Sequence, residues 1–296
     1  MSKTHQLFAF IVTFIWGTNF VFIKMGLNEL PPFLFAAIRF TLVALPLVFF
    51  MPKPKVSWGL IIAYGLFVGV GQFGLMFYAM QADISAGLAS LVLQMQVFFT
   101  IILALIYFKE SVSGVQWIAL AISFLGVGLI ASRVGGGGTS IFGITLALLA
   151  ALSWALGNIT VKKAGKVNII AFLAYSSLFA APVLALLSFY FEGWDVIKVS
   201  LKSASMTSVY VVLWQTIGNT LIGYGLWNFL LHRYDASVVT PWALLVPVSG
   251  MGASYLMLNE AMPAWKLIAG GLILLGLVVN IISSRQKLLL RDVNNG

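Results

Sequence analysis

The sequence contains no cysteine, only two histidines and few charged residues. Charged residues make up 8% of the 296 positions, and the histidines, His5 and His232, lie at the edges of apolar segments. Without cysteine, the chain cannot form a disulfide bond, a thiolate nucleophile or a cysteine-ligated metal site. Neither histidine is expected to be a buried proton carrier. We therefore predict that the protein uses no metal and no cofactor.

Acidic residues are also scarce, and their positions exclude several kinds of chemistry. None of the eight Asp and Glu residues falls in the interior of an apolar segment. Intramembrane proteases and acyltransferases place Asp pairs, His–Asp motifs or Ser–His constellations within their helices, and the sequence has no such arrangement. We predict that the protein is not an enzyme and has no proton relay of buried carboxylates.

Apolar residues are abundant and form 61% of the chain. They occur in runs of about twenty residues, the length that an α-helix needs to cross the hydrocarbon core of a bilayer. Because the runs are continuous and do not alternate with polar residues, helices fit them and a β-barrel does not. The sequence predicts an all-α integral membrane protein. The ten expected spans cover about residues 6–25, 33–51, 60–80, 84–107, 113–131, 141–162, 168–191, 206–231, 236–258 and 264–284.

Two similar stretches, "WGTNFVFIKMG" at residues 16–26 and "WALGNITVKKAG" at residues 154–165, indicate an internal repeat. A second match, at a spacing of 150 residues, relates Glu110 to Glu260. Each half then holds five helices, and because five is odd, the second half enters the membrane from the opposite side. We predict two inverted five-helix repeats around a central cavity, an arrangement suited to alternating access.

The predicted domain organisation follows from this repeat. Residues 1–134 form the first repeat, the glycine-rich residues 135–140 link the halves, and residues 141–284 form the second, inverted repeat. Residues 285–296 are expected to form a basic cytoplasmic tail. Two fused halves make a monomer sufficient.

The basic residues predict the orientation of the chain. With a cytoplasmic N-terminus, most Lys and Arg residues outside the spans fall on the cytoplasmic side, as the positive-inside rule requires. Both termini are then cytoplasmic, and the net charge of +9 reflects topology, not nucleic-acid binding. The expected cytoplasmic set is Lys3, Lys53, Lys55, Lys109, Lys162, Lys163, Lys166, Arg233, Arg285, Lys287 and Arg291.

Several segments together resemble a known family. The stretches "WGTNFVFIKMGL", "PPFLFAAIRFTLVALP", "AGLASLVLQMQVFFTIILA", "LSWALGNITVKK" and "LLVPVSGM", in this order, are similar to the EamA-type branch of the drug/metabolite transporter superfamily. Within it, they look closest to the bacterial exporters of O-acetylserine and cysteine. The resemblance implies efflux of small amino-acid metabolites across the bacterial inner membrane. Small four-helix members of the superfamily use a glutamate in their first helix, and this first helix has none.

Polar and aromatic residues at mid-span depth are the candidate binding residues. Such groups face lipid only at a cost in free energy, so they are expected to turn inward, where amides and indoles can hold a small zwitterion. The alternative role for each amide is a hydrogen bond between helices, and for each indole, packing. Gln94 and Gln96 are two apart on one helix, so at most one is expected to meet the solute. The predicted substrate-binding residues are Trp16, Asn19, Tyr78, Gln94, Trp154, Asn158, Asn219 and Trp227.

Three charged residues are candidates for gating or for attracting a charged solute: Arg39, Glu110 and Glu260. A guanidinium at the bilayer centre costs about 2.5–3.5 kcal/mol on insertion scales, so Arg39 should snorkel, pair or face water. The two glutamates could pair with lysine, cap a neighbouring helix N-terminus or simply be solvated. Lys24 and Lys163 are expected to anchor their helices at the headgroups.

Other functions stay open at the level of sequence. The solute could instead be a drug or a nucleoside, and a receptor or channel that carries no solute is a further alternative. A channel would normally show a polar ring or a filter loop. Facilitated diffusion is the simpler mechanism, and proton coupling through another group is the alternative.

Overall fold

The structure, a computed structural model, describes residues 1–82, 84–133, 139–234 and 236–294. Throughout these residues, every regular element is a helix. The glycine run 135–138 of the predicted linker and the last two residues of the predicted tail lie outside the described part of the chain. The helices are α1 (Lys3–Leu27), α2 (Pro32–Phe50), α3 (Trp58–Gln81), α4 (Ala86–Phe108), α5 (Gly114–Ala131), α6 (Ile141–Ala164), α7 (Ile169–Phe191), α8 (Trp194–Ser203), α9 (Met206–Arg233), α10 (Thr240–Leu258) and α11 (Ala264–Asn294).

Most of these helices match the predicted spans. Within the described residues, nine helices are long and apolar enough to cross a membrane, and the number rises to ten if α8 and α9, which meet at 99°, form one broken span. Their ends agree with the predicted ends within about four residues. The exception is α11, which continues to Asn294 into the segment predicted as a tail.

The segment between α7 and α9 differs from the prediction, which made residues 192–205 a connection. It forms the short helix α8, preceded by Gly193 at a φ of +82°. Apolar residues including Trp194 and Val199 are exposed on α8, whereas Ile197 is buried. The prediction followed span length alone, and α8 is too short to be a span, although its apolar residues recur at helical spacing.

Two spans contain long π-helical segments. In α3 the π-helix covers Gly65–Gly74, and in α9 it covers Trp214–Tyr224. In addition, α4 tightens into a 3₁₀ turn at Leu93–Met95, and α10 opens with the 3₁₀ helix Thr240–Leu244. Such irregular turns inside long helices often mark functional sites.

Helices of the first five spans pack against helices of the last five. The most extensive helix pairs are α3 with α6, α5 with α11, α2 with α7, α1 with α10 and α4 with α6. At the α5–α11 contact, a Cβ at Gly126 would lie 2.8 Å from the Ala269 carbonyl oxygen, and a Cβ at Gly276 would lie 2.5 Å from that of Ala119. The two helices therefore approach this closely only because both positions are glycine.

Candidate functional site

A cavity of about 720 Å³ lies between helices from the first and second parts of the chain. Its described lining contains no Lys, Arg, Asp or Glu. Most of the predicted substrate-binding residues line it: Trp16, Asn19, Gln94, Trp154, Asn158, Asn219 and Trp227. Lining residues that were not among the predicted binding residues include Tyr64, Gln72, Phe73, Gln96, Tyr224, Asn228 and Asn280.

Trp16 and Asn19 hold α1 against α9 at the cavity wall. The indole N–H of Trp16 donates to the carbonyl oxygen of Asn219 at 3.3 Å, and its ring packs on Trp227 with centroids 5.2 Å apart. The amide oxygen of Asn19 accepts from Gln215 Nε2 at 2.7 Å. Both residues therefore border the cavity and also bond to a neighbouring helix.

Asn158 has the corresponding position on α6. Its Nδ2 donates to Gln96 Oε1 at 2.9 Å and to Thr100 Oγ1 at 3.1 Å, both on α4. Gln96 lines the cavity, and so does Gln94, which lies in the 3₁₀ turn and donates from Nε2 to the Ala243 carbonyl at 3.4 Å. The sequence predicts that at most one of the two glutamines meets the solute, provided that α4 is an uninterrupted α-helix. The 3₁₀ turn interrupts α4, and both glutamines line the cavity.

Tyr78 lies apart from the other predicted binding residues. It is not in the lining of the large cavity; its ring stacks on Phe33, with centroids 5.5 Å apart, and is partly exposed. Tyr78 instead borders a smaller hollow of about 380 Å³ together with Glu29 and Glu192. A tyrosine suits such a membrane-edge position because its ring is apolar and its hydroxyl is polar.

Arg39 is fully buried in α2, with 1% of its surface exposed, so it does not snorkel to the membrane edge. Its Nη2 donates to Thr220 Oγ1 at 3.1 Å, and its Cζ lies 3.8 Å from the centroid of the Phe73 ring. Nε and Nη1 have no hydrogen-bond partner in the described part of the chain, and the ion pairs found there do not include Arg39. Its positive charge is therefore compensated mainly by aromatic faces.

Glu260, in the connection between α10 and α11, joins three segments. It accepts hydrogen bonds from the Ser85 hydroxyl, from the Gly87 N–H at 3.1 Å and from Lys266 Nζ at 2.5 Å. It thus pairs with a lysine and caps the N-terminus of α4, two of the roles predicted for it. Burial raises the pKa of Glu260, but the hydrogen bonds from Lys266, Ser85 and Gly87 outweigh burial and lower the pKa below its usual value.

Glu110 and Lys24 lie at opposite ends of the bundle. Glu110 pairs with Lys162, and both side chains are about half exposed, at 49% and 47%. The ammonium of Lys24, which was predicted to anchor its helix at the headgroups, donates to the carbonyls of Met80 at 2.6 Å and Gln81 at 3.2 Å. A cation at the last carbonyls of α3 complements the helix dipole.

Apolar helices packed around an uncharged, amide-rich cavity define a multi-pass membrane protein with room for a small solute. The sequence profile of the EamA-like transporter family matches residues 4–132 and again residues 141–282. The chain therefore belongs to the EamA-like transporter family.

Full-length relatives agree with this assignment. The chain is 38% identical to a Salmonella typhimurium protein named "probable amino-acid metabolite efflux pump", over 97% of this chain and 98% of that protein. It is 37% identical, with the same coverage, to an Escherichia coli protein of the same name. A solved crystal structure with 19% identity superposes with a TM-score of 0.65, covering 97% of this chain and 99% of that chain, and so shares the fold.

Proposed function

We propose that the protein exports small amino-acid metabolites, such as cysteine, O-acetylserine or other neutral amino acids, across the bacterial inner membrane. The cavity carries this proposal, because its wall combines amides and indoles and its described lining has no fixed charge. Uncharged hydrogen-bonding groups can hold a zwitterion without trapping it. The names of the Salmonella and Escherichia coli relatives support the same class of solute.

The proposed architecture is two inverted five-helix repeats, residues 1–134 and 141–284, with the cavity between them. The two separate matches to the family profile, at residues 4–132 and 141–282, support this division. Local structure supports the same division, since the π-helices of α3 and α9 and the left-handed residues Lys109 and Asn259 occupy related positions about 150 residues apart. A monomer then contains the whole pathway.

Alternating access is the proposed mechanism, and the charged residues at the two ends indicate which end is closed. The cavity lining includes Ile169 and Leu231, which lie at helix ends on the side of the chain termini, and Ser284, in the C-terminal half of α11. On the opposite side, Glu260 and Lys266 are largely buried, at 12% and 6% side-chain exposure, whereas the Glu110–Lys162 pair is exposed. Glu260 is accordingly the gate of the closed side and Glu110 that of the open side.

The proposed orientation places both termini in the cytoplasm, in accord with the distribution of basic residues. The cavity then opens to the cytoplasm, the side from which an exporter loads its solute. A reporter enzyme fused after Gly296 tests this orientation, since it should be active only in its cytoplasmic form. Periplasmic activity of that fusion would contradict the orientation.

A second candidate function is export of larger apolar solutes such as dyes. It is favoured by the cavity volume, about 720 Å³, which lies in the range of pockets for drug-sized ligands. Aromatic lining residues, including Phe20, Trp154 and Tyr224, would suit such solutes equally well.

One export experiment separates these functions. Cells that lack or overproduce the protein are loaded with cysteine, O-acetylserine, threonine, an aromatic amino acid or a cationic dye, and release of each into the medium is measured. We expect overproduction to accelerate release of the small amino acids. Faster release of the dye alone would replace the proposal with the second candidate, and no change for any solute would indicate a receptor or a scaffold.

A pair of variants links export to the cavity. Ala243→Trp places an indole inside the cavity, whereas Ile217→Trp places the same indole on the exposed face of α9. We expect the first variant to reach the membrane but lose export, and the second to retain export. Equal export by both variants would show that the solute takes another route.

A further inference from the structure

Five buried polar atoms lack a hydrogen-bond partner in the described residues, and four of them belong to groups with complementary chemistry. Arg39 contributes two of these atoms, the donors Nε and Nη1. Gln72 and Gln215 contribute one acceptor each, their Oε1 atoms. Buried polar groups are normally satisfied, so unsatisfied donors and acceptors beside a cavity indicate a ligand that supplies the missing partners.

Contacts of Arg39 connect it to the segments that carry Gln72 and Gln215. The Arg39 guanidinium lies on the ring of Phe73, the neighbour of Gln72 in α3. Its Nη2 bonds to Thr220 Oγ1, which in turn donates to the Gln215 carbonyl at 2.9 Å. The π-helical segments of α3 and α9 thus meet at Arg39.

The cluster also borders the cavity. Gln72 and Phe73 are both part of the cavity wall. Arg39 itself does not line the cavity, and Phe73 is the wall residue that its guanidinium contacts.

We propose that Arg39 and Gln72 form a headgroup site, which binds the α-carboxylate and the α-ammonium group of an amino acid. Arg39 receives the carboxylate after the Phe73 ring moves aside, and the Gln72 amide oxygen accepts from the ammonium. A guanidinium is suited to this role because its planar fork matches both carboxylate oxygens. The assignment rests on the proposed function. It adds which part of the solute is recognised: a solute must carry both the carboxylate and the ammonium group.

Four related probes test the site in the wild-type protein. Purified protein is reconstituted into proteoliposomes that are loaded with unlabelled cysteine. Uptake of labelled cysteine by counterflow is then measured in the presence of each competitor. The competitors are L-cysteine and three analogues that each alter or remove one charged group: its methyl ester, cysteamine and 3-mercaptopropionate. A reductant can be present throughout because the chain contains no cysteine.

We expect the ester, cysteamine and 3-mercaptopropionate each to compete at least tenfold more weakly than cysteine. Equal competition by all four would overturn the headgroup site but leave cysteine transport, and with it the proposed function, intact. Absence of cysteine counterflow together with absence of export of every amino acid tested in cells would instead refute the proposed function.

Two variants assign the two groups to their residues. Arg39→Gln should abolish the preference for cysteine over its methyl ester, whereas Gln72→Leu should abolish the preference for cysteine over 3-mercaptopropionate and keep the first preference. Arg133→Gln, a matched loss of charge at an exposed position, should keep both. An Arg39→Gln protein that retains full discrimination against the ester would contradict the assignment. If this variant does not reach the membrane, the wild-type competition series decides.

Discussion

In the proposed orientation, the contacts of Glu260 predict that this one side chain keeps the outer, non-cytoplasmic side of the transporter closed. Glu260→Gln retains the shape of the side chain but removes the charge that attracts Lys266 and the oxygen that accepts from Gly87. Breaking a buried ion pair costs about 3–5 kcal/mol, and a hydrogen bond to a charged group is worth about 1.5–3 kcal/mol. Because glutamine restores part of these contacts, we expect the closed state to lose about 2 kcal/mol.

A loss of about 2 kcal/mol corresponds to an approximately 30-fold larger population of the state that is open to the outside. The absence of native cysteine makes this population measurable. Ile23 lines the cavity and is 1% exposed, so an Ile23→Cys background places a single thiol there, and a membrane-impermeant maleimide is added to intact cells. Labelling of this thiol from outside requires the outer side to open, so its rate should rise by about the same factor when Glu260→Gln is added.

The matched control is Glu110→Gln, the same substitution at the related position of the other half. Glu110 and Lys162 are about half exposed, and such surface pairs contribute about 0–1 kcal/mol. Labelling of the introduced thiol should therefore change little in this variant. An unchanged labelling rate in Glu260→Gln, or an equal rise in both variants, would refute the assignment of Glu260 as the outer gate.

Three further predictions concern other parts of the structure. Asn19→Leu and Asn158→Leu should each lower the Tm in detergent by an amount equivalent to about 1 kcal/mol, because each side chain bonds to a neighbouring helix. An unchanged Tm would show that these bonds contribute nothing to stability. Gly276→Ala should lower the Tm, and Gly271→Ala, where a Cβ would meet nothing within 4 Å, should not; equal Tm values would contradict the close α5–α11 contact. The contacts of Glu260 lower its pKa, so the outer side should stay closed from neutral pH down to the usual carboxylate pKa of 4.5 and should open only below the lowered pKa of Glu260. Maleimide labelling at a series of pH values measures this opening, and opening above about pH 6 would contradict the prediction.

The sequence predicted the spans well because their signal is simple. A bilayer sets the length of an apolar run, so each long helix was evident from composition alone. The same physics explains why the amides Asn19, Asn158 and Asn219 line the cavity, since a polar group in an apolar helix is expected to face inward. Neither inference needs knowledge of tertiary contacts.

Features that depend on partners in space were beyond the reach of the sequence. Arg39 could equally have snorkelled, and only the position of Phe73 and Thr220 explains its burial. Lys24 has the sequence context of a headgroup anchor, but the carbonyl end of α3 lies within its reach. The π-helices were not predicted, because an apolar run of about twenty residues indicates a helix but not its hydrogen-bond register.

The π-helical segments of α3 and α9 give the cavity wall a way to move without separating the helices. In a π-helix each N–H bonds to the carbonyl five residues earlier, and moving to the carbonyl four residues earlier restores an α-helix. Such an exchange rotates the following turns about the helix axis and lengthens the segment. Gln72 and Asn219, which lie within these segments, would therefore rotate about the helix axis and shift along it at the cavity wall.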